Sequence, residues 1–176
     1  LSQIRKAFTI DFDQKYLADE ITDFPYEEIL KQIRKDTAIN ADFIEELLNT
    51  QKDSKYSFSI LSLIYPYLDY KNNNFHKDHL HPESKFSDLS DSDKTKYSWG
   101  QYNSICNLQM LDANENMSKN GKSLNEWVEK EVKTKDRTTF LENHLIPDVD
   151  LELNNFDNFY TSRKKILTIK LTDLLS

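Results

Sequence analysis

Apolar residues recur along much of this 176-residue chain at steps of three and four, the spacing that gathers them on one face of a helix. From about Asp23 to Asn49, Phe24, Ile29, Leu30 and Ile33, then Phe43, Ile44, Leu47 and Leu48, follow this rule. The pattern predicts two amphipathic helices broken near Thr37–Asn40. The run Tyr56-Phe58-Ile60-Leu61-Leu63-Ile64-Tyr65-Pro66 is apolar on most sides, as a central core helix would be, and Pro66 with Asn72-Asn73-Asn74 marks its exit. Ser123-Leu124-Asn125-Glu126 has the form of a capping box and opens a helix through Trp127, Val128 and Val132. Near the end, Phe156, Phe159, Tyr160, Ile166, Leu167, Leu171, Leu174 and Leu175 line one face of a long helix, with Arg163, Lys164, Lys165 and Lys170 mostly outside. No internal repeat is visible.

Between Phe75 and Asn120 the helical period fades and polar residues crowd in. A turn-like stretch, Ser87-Asp88-Leu89-Ser90-Asp91-Ser92-Asp93, separates two short segments that carry chemistry. The expected architecture is mainly α, formally α+β. One domain spans residues 1–176, with a helical part at 1–74, a strand-bearing module at 75–121 and C-terminal helices at 122–176.

Composition narrows this further. Two glycines and four prolines favour helices over a sheet-rich fold, and no apolar run approaches the roughly 20 residues of a membrane span. With a start at Leu1 and no signal-peptide core, the expectation is a cytoplasmic protein that is a C-terminal fragment of a larger one. The single cysteine, Cys106, excludes an internal disulfide and reads as a small buried side chain. A formal net charge of −7 argues against broad nonspecific nucleic-acid binding, so any DNA contact has to be local or metal-assisted.

The first chemical segment is His76-Lys77-Asp78-His79-Leu80-His81-Pro82-Glu83-Ser84. Adjacent residues on a strand point to opposite sides, so Asp78 and His79 suit different tasks at one phosphodiester. Hydrolysis needs a base on the attacking water and a cation at the phosphate. His79 fits the first role and Asp78, a hard oxygen ligand, the second. The second segment, Asn107-Leu108-Gln109-Met110-Leu111-Asp112-Ala113-Asn114-Glu115-Asn116-Met117-Ser118-Lys119, reads as a short strand entering a short helix, with Asp112 and Glu115 at cap-box spacing and Asn120-Gly121 as the stop. Asn116 and Lys119 then share a helix face, an amide oxygen for a metal beside an ammonium for a phosphate.

Asp78-His79-Leu80-His81-Pro82, Asn107-Leu108-Gln109-Met110-Leu111 and Asn116-Met117-Ser118-Lys119 together resemble the HNH signature of His-Me finger (ββα-metal) nucleases. More narrowly, the chain resembles the C-terminal nuclease region of modification-dependent restriction endonucleases of the GmrSD type. Leu61-Ser62-Leu63-Ile64-Tyr65-Pro66, His144-Leu145-Ile146-Pro147 and Asn155-Phe156-Asp157-Asn158-Phe159 with Arg163-Lys164-Lys165 extend that likeness over roughly Tyr56 to Leu175. The resemblance implies a ββα-metal module at about 75–121 inserted in a helical domain. It also implies cleavage of double-stranded DNA, modified or foreign, with Mg2+ or Mn2+ as cofactor. His79 is then the general base, Asp78 and Asn116 hold the ion, Asn107 orients the site and Lys119 contacts phosphate. Proteins of this type also carry an N-terminal nucleotide-dependent domain with an Asp-Gly-Gln-Gln-Arg-like motif, and no such segment occurs here.

Other readings attach to the same residues. His76, His79 and His81 together read as a zinc cluster, though without cysteine. His81 is either a hydrogen-bonding neighbour of His79 or an ordinary surface histidine, and His144 reads as structural. Arg163-Lys164-Lys165 is a solvated helix face, or a track for a DNA backbone. The rival to a nuclease is an inactive helical DNA-binding or protein-interaction domain of a restriction complex.

Overall fold

The computed structural model describes residues 40–175, which belong to one compact unit, Ile39–Ser176. The helix expected over Phe24–Ile33 lies outside the described residues. Asn40 caps the first described helix, α1 (Ala41–Leu48), by accepting from the Phe43 amide, and Ile44 and Leu48 face inward. The next helix, α2 (Ser57–Ile64), buries Ile60, Leu61 and Ile64. It is less enclosed than its mostly apolar sequence suggested, because Phe58 and Leu63 are exposed, as is Tyr56 just before it.

A two-stranded antiparallel sheet follows, β1 (Phe75–His79) with β2 (Leu108–Asp112), in a register that sets Asp78 opposite Gln109 and His79 opposite Leu108. The connection is more helical than its turn-like composition implied. It holds a 3-10 turn (Glu83–Asp88), α3 (Asp91–Lys96), α4 (Trp99–Tyr102) and a second 3-10 turn (Ile105–Asn107). Ser90 caps α3 through the Asp93 amide, and Ser98 with Gln101 forms a capping box on α4, so local side-chain bonds supply the missing nucleation. β2 runs directly into α5 (Ala113–Lys119), whose N-terminal amides at Asn114 and Glu115 donate to Asp112. The helix stops where Asn120 takes a left-handed φ of 38° and Gly121 follows at 71°.

The expected Ser123–Glu126 box caps α6 (Leu124–Glu131), which buries Trp127 and Val128. After α7 (Arg137–Asn143) and a 3-10 turn (Leu153–Asn155), the long helix α8 (Phe156–Leu175) lies against α1, α2 and the turn before β2. Phe156, Phe159, Tyr160, Leu167 and Leu171 form its inner face, each contributing roughly 1.5–3 kcal/mol by burial. One residue departs from the expected solvated face: Arg163 is wholly buried. Its guanidinium donates to the carbonyl oxygens of His144 (2.9 Å), Leu108 (2.8 Å) and Leu145 and to the Tyr65 hydroxyl (3.0 Å). The Tyr65 hydroxyl also donates to the His144 carbonyl at 3.1 Å, so the cation serves as a cross-brace within one buried network. Lys164 pairs with Glu45 of α1 at 2.6 Å. Of the Arg-Lys-Lys run, Lys165 alone is exposed. No helix of the described residues is long and apolar enough to cross a membrane.

Candidate active site

The sheet register and α5 bring Asp78, His79 and Lys119 together at one end of β1. Strand alternation sends the two neighbours to opposite sides, as expected. The His79 ring, 2% exposed, packs beside Trp99 and Tyr102 with ring centroids 6.2 and 6.4 Å away. Its Nε2 lies 2.8 Å from Oδ1 of Asn103. An amide oxygen can only accept, so the neutral imidazole carries its proton on Nε2 and leaves the Nδ1 lone pair free. Burial lowers the His79 pKa, Asn103 opposes this, and the charge of Lys52 lowers it further. The ring is therefore neutral, the state a base requires.

On the other side of the strand, Asp78 Oδ2 lies 2.8 Å from Lys119 Nζ, with the carboxylate side chain 24% exposed and the lysine 3%. Lys119 also donates to the His79 carbonyl oxygen at 2.5 Å. Burial pulls the Lys119 pKa down while Asp78 pushes it back up. The lysine thus sits beneath the site as an internal strut, with two of its three donors directed at β1. Asn116 precedes it by one turn on the same helix face; it is half-buried, and its amide makes no hydrogen bond among the described residues.

Asn107 is buried and fully engaged. Its Oδ1 accepts from the His81 amide at 2.9 Å, and its Nδ2 donates to the carbonyls of His81 (3.1 Å) and Tyr102 (3.0 Å). The Asn107 carbonyl accepts from the Leu80 amide at 2.7 Å, so this residue fixes the chain as it leaves β1. His81 is buried too, its ring edge-on to Phe159 and Phe156 at 4.5 and 5.3 Å. Desolvation pushes its pKa down to about 3, so His81 is a neutral core group and not a surface histidine. His76 is exposed and, three positions before His79, belongs to the opposite strand face.

Cys106 is buried with its thiol pKa raised to about 11 by desolvation, which leaves it without nucleophilic character. His144 packs against Phe140 and Trp127 at 4.4 and 5.0 Å, its pKa lowered to about 4 mainly by desolvation. Its Nε2 is 3.6 Å from Glu115, a dipolar contact because the ring is neutral.

Sequence reasoning missed Asn103, which has no motif of its own and lies in the aperiodic stretch before Asn107. Its signal was faint: the aromatic pair Trp99 and Tyr102 just upstream marks a packed segment.

Asp78 and Asn116, the residues the sequence pattern assigned to a divalent cation, carry a carboxylate and an amide oxygen, hard donors of the kind Mg2+ and Mn2+ prefer. No group of three or more His, Cys, Asp or Glu side chains gathers to hold a metal among the described residues. Two protein oxygens suit an ion that keeps several waters and takes phosphate oxygens as further ligands. The chain matches no protein-family profile and no curated protein sequence.

Proposed function

We propose that the chain is a metal-dependent DNA endonuclease of the HNH kind, acting in restriction of foreign or modified DNA. One observation carries the reading most: a neutral, tautomer-fixed His79 and the carboxylate of Asp78 leave opposite sides of one strand end, held there by a second strand and the helix that follows it. His79 Nδ1 takes the proton from the attacking water, and Asn103 holds the ring so that this nitrogen stays unprotonated. Asp78 and Asn116 would hold Mg2+ or Mn2+, which supplies charge neutralisation at the phosphate and the leaving oxygen. Asn107 keeps the Leu80–His81 backbone in place behind the base.

The test is plasmid nicking with and without chelator, run beside calorimetric manganese titration. His79→Ala should abolish cleavage and retain the ion. Asp78→Ala and Asn116→Ala should lose both. Full cleavage by His79→Ala would sink the mechanism.

A second reading, an inactive DNA-binding or interaction domain, is favoured by the near-complete burial of His79 and by the pairing of Asp78 with Lys119. DNA binding with no chelator-sensitive nicking would select it.

A further inference from the structure

Of the two aromatic rings packed beside the buried His79, Tyr102 is wholly enclosed, whereas Trp99 is 38% exposed. The chain's other tryptophan, Trp127, is wholly buried. Exposed apolar side chains scattered over a surface are ordinary. Among the described residues, though, Trp99 is the one exposed aromatic side chain in ring contact with His79.

The setting of Trp99 is rigid. It opens α4, where the Ser98 amide donates to Gln101 Oε1 at 2.7 Å, and its ring packs on Phe86 at 5.2 Å and Tyr102 at 6.1 Å. Its carbonyl accepts from the Asn103 amide at 2.8 Å, and the Asn103 side chain is the group that holds the His79 ring. One turn of chain thus carries the open indole and orients the proposed base.

An indole fixed in this way is a platform on which a flat ring can stack. Every nucleobase has such a face, but within a paired duplex its neighbours cover it, so only an unstacked base can use the platform. In a chain of formal net charge −7, stacking also supplies affinity that does not depend on cations meeting phosphate.

We infer that Trp99 stacks on an unpaired base of the DNA, in a nucleotide adjoining the bond presented to His79. The inference rests on the nuclease reading for the place of cleavage, but stacking on Trp99 can be read without any cleavage.

The probe is a short single-stranded oligothymidylate, titrated into the full chain with chelator present. Tryptophan fluorescence should fall saturably, and the change belongs to Trp99 because Trp127 is buried. A fully paired duplex should quench far less. In Trp99→Phe, which keeps an aromatic face, quenching should vanish while binding, followed by anisotropy of a labelled strand, stays within about threefold of wild type. Trp99→Leu keeps apolar bulk without a ring; it should bind at least about fivefold more weakly, with the slope of log K against log salt unchanged. No quenching by the single strand, equal quenching by the paired duplex, or wild-type affinity in Trp99→Leu overturns the inference even if DNA is cut. Should thermal melts show Trp99→Leu unfolded, Trp99→Phe decides alone, since quenching that persists in it comes from Trp127 and overturns the inference. Ring-dependent binding in a protein that cuts no DNA keeps the base site and removes the nuclease reading.

Discussion

The Lys119 ammonium lies 2.8 Å from Asp78 and 2.5 Å from the His79 carbonyl oxygen, so one buried cation from α5 fixes two adjacent residues of β1. Helix and strand are locked by it at the point where the proposed chemistry occurs. Breaking a buried pair costs about 3–5 kcal/mol, and partial exposure of Asp78 reduces this. Lys119→Met should therefore lower unfolding free energy by about 2–3 kcal/mol in urea titration. A loss below about 0.5 kcal/mol would mean that the pair does not brace the sheet.

The pH dependence of cleavage follows from His79. Its pKa is lowered by burial, so the active neutral form persists below the ordinary value of 6.5. Single-turnover cleavage should rise with pH through an inflection below 6.5 and be flat above it. Asn103→Asp sets a carboxylate against the ring, favours the imidazolium, and should move that inflection upward by about one pH unit. Coincident profiles for the two proteins would detach Asn103 from the base.

Arg163 should matter for stability alone. Replacing it by Ala strips partners from three carbonyls and the Tyr65 hydroxyl, and a loss of roughly 3–5 kcal/mol is expected. Lys165→Ala, on the exposed side, should change stability by less than about 0.5 kcal/mol. Thermal melts of the two variants distinguish a cross-brace from a DNA-facing basic run.

Two of the three buried histidines, His81 and His144, should do most to make the protein acid-labile. Their folded pKa values, about 3 for His81 and about 4 for His144, lie below the ordinary 6.5, so between these limits the unfolded chain binds the extra protons. Stability is thus full above pH 6.5 and falls as pH drops, by roughly 1.4 kcal/mol per pH unit for each histidine that titrates only on unfolding. His144→Phe, which suits a site walled by Trp127 and Phe140, should lower the slope of stability between pH 6.5 and 4 by up to about 1.4 kcal/mol per pH unit, with His81 and His79 supplying the rest. An unchanged slope would exclude His144 as a source.

What the sequence by itself determined was local. Helical spacing located α1, α2, α6 and α8, the Ser123–Glu126 box was legible because capping needs only neighbours, and Asp112 with Asn120-Gly121 announced the start and stop of α5. The adjacency of Asp78 and His79 on a strand fixed their opposite directions, since a pleat alternates whatever surrounds it. Tertiary structure decided everything that depends on which surfaces meet. Arg163 reads as one more charge on a polar helix face, but carbonyls from Leu108, His144 and Leu145 converge on it only when α8 closes over the sheet. His81 reads as a neighbour of His79 or as a surface histidine until Phe156 and Phe159, more than seventy positions on, enclose it. Asn103 carries no motif, because its relation to His79 is a hydrogen bond across a sequence separation that no local period encodes. Periodicity reports the face a residue shares with its own element, whereas burial and charge pairing are set by the partner element, and only the folded chain supplies that partner.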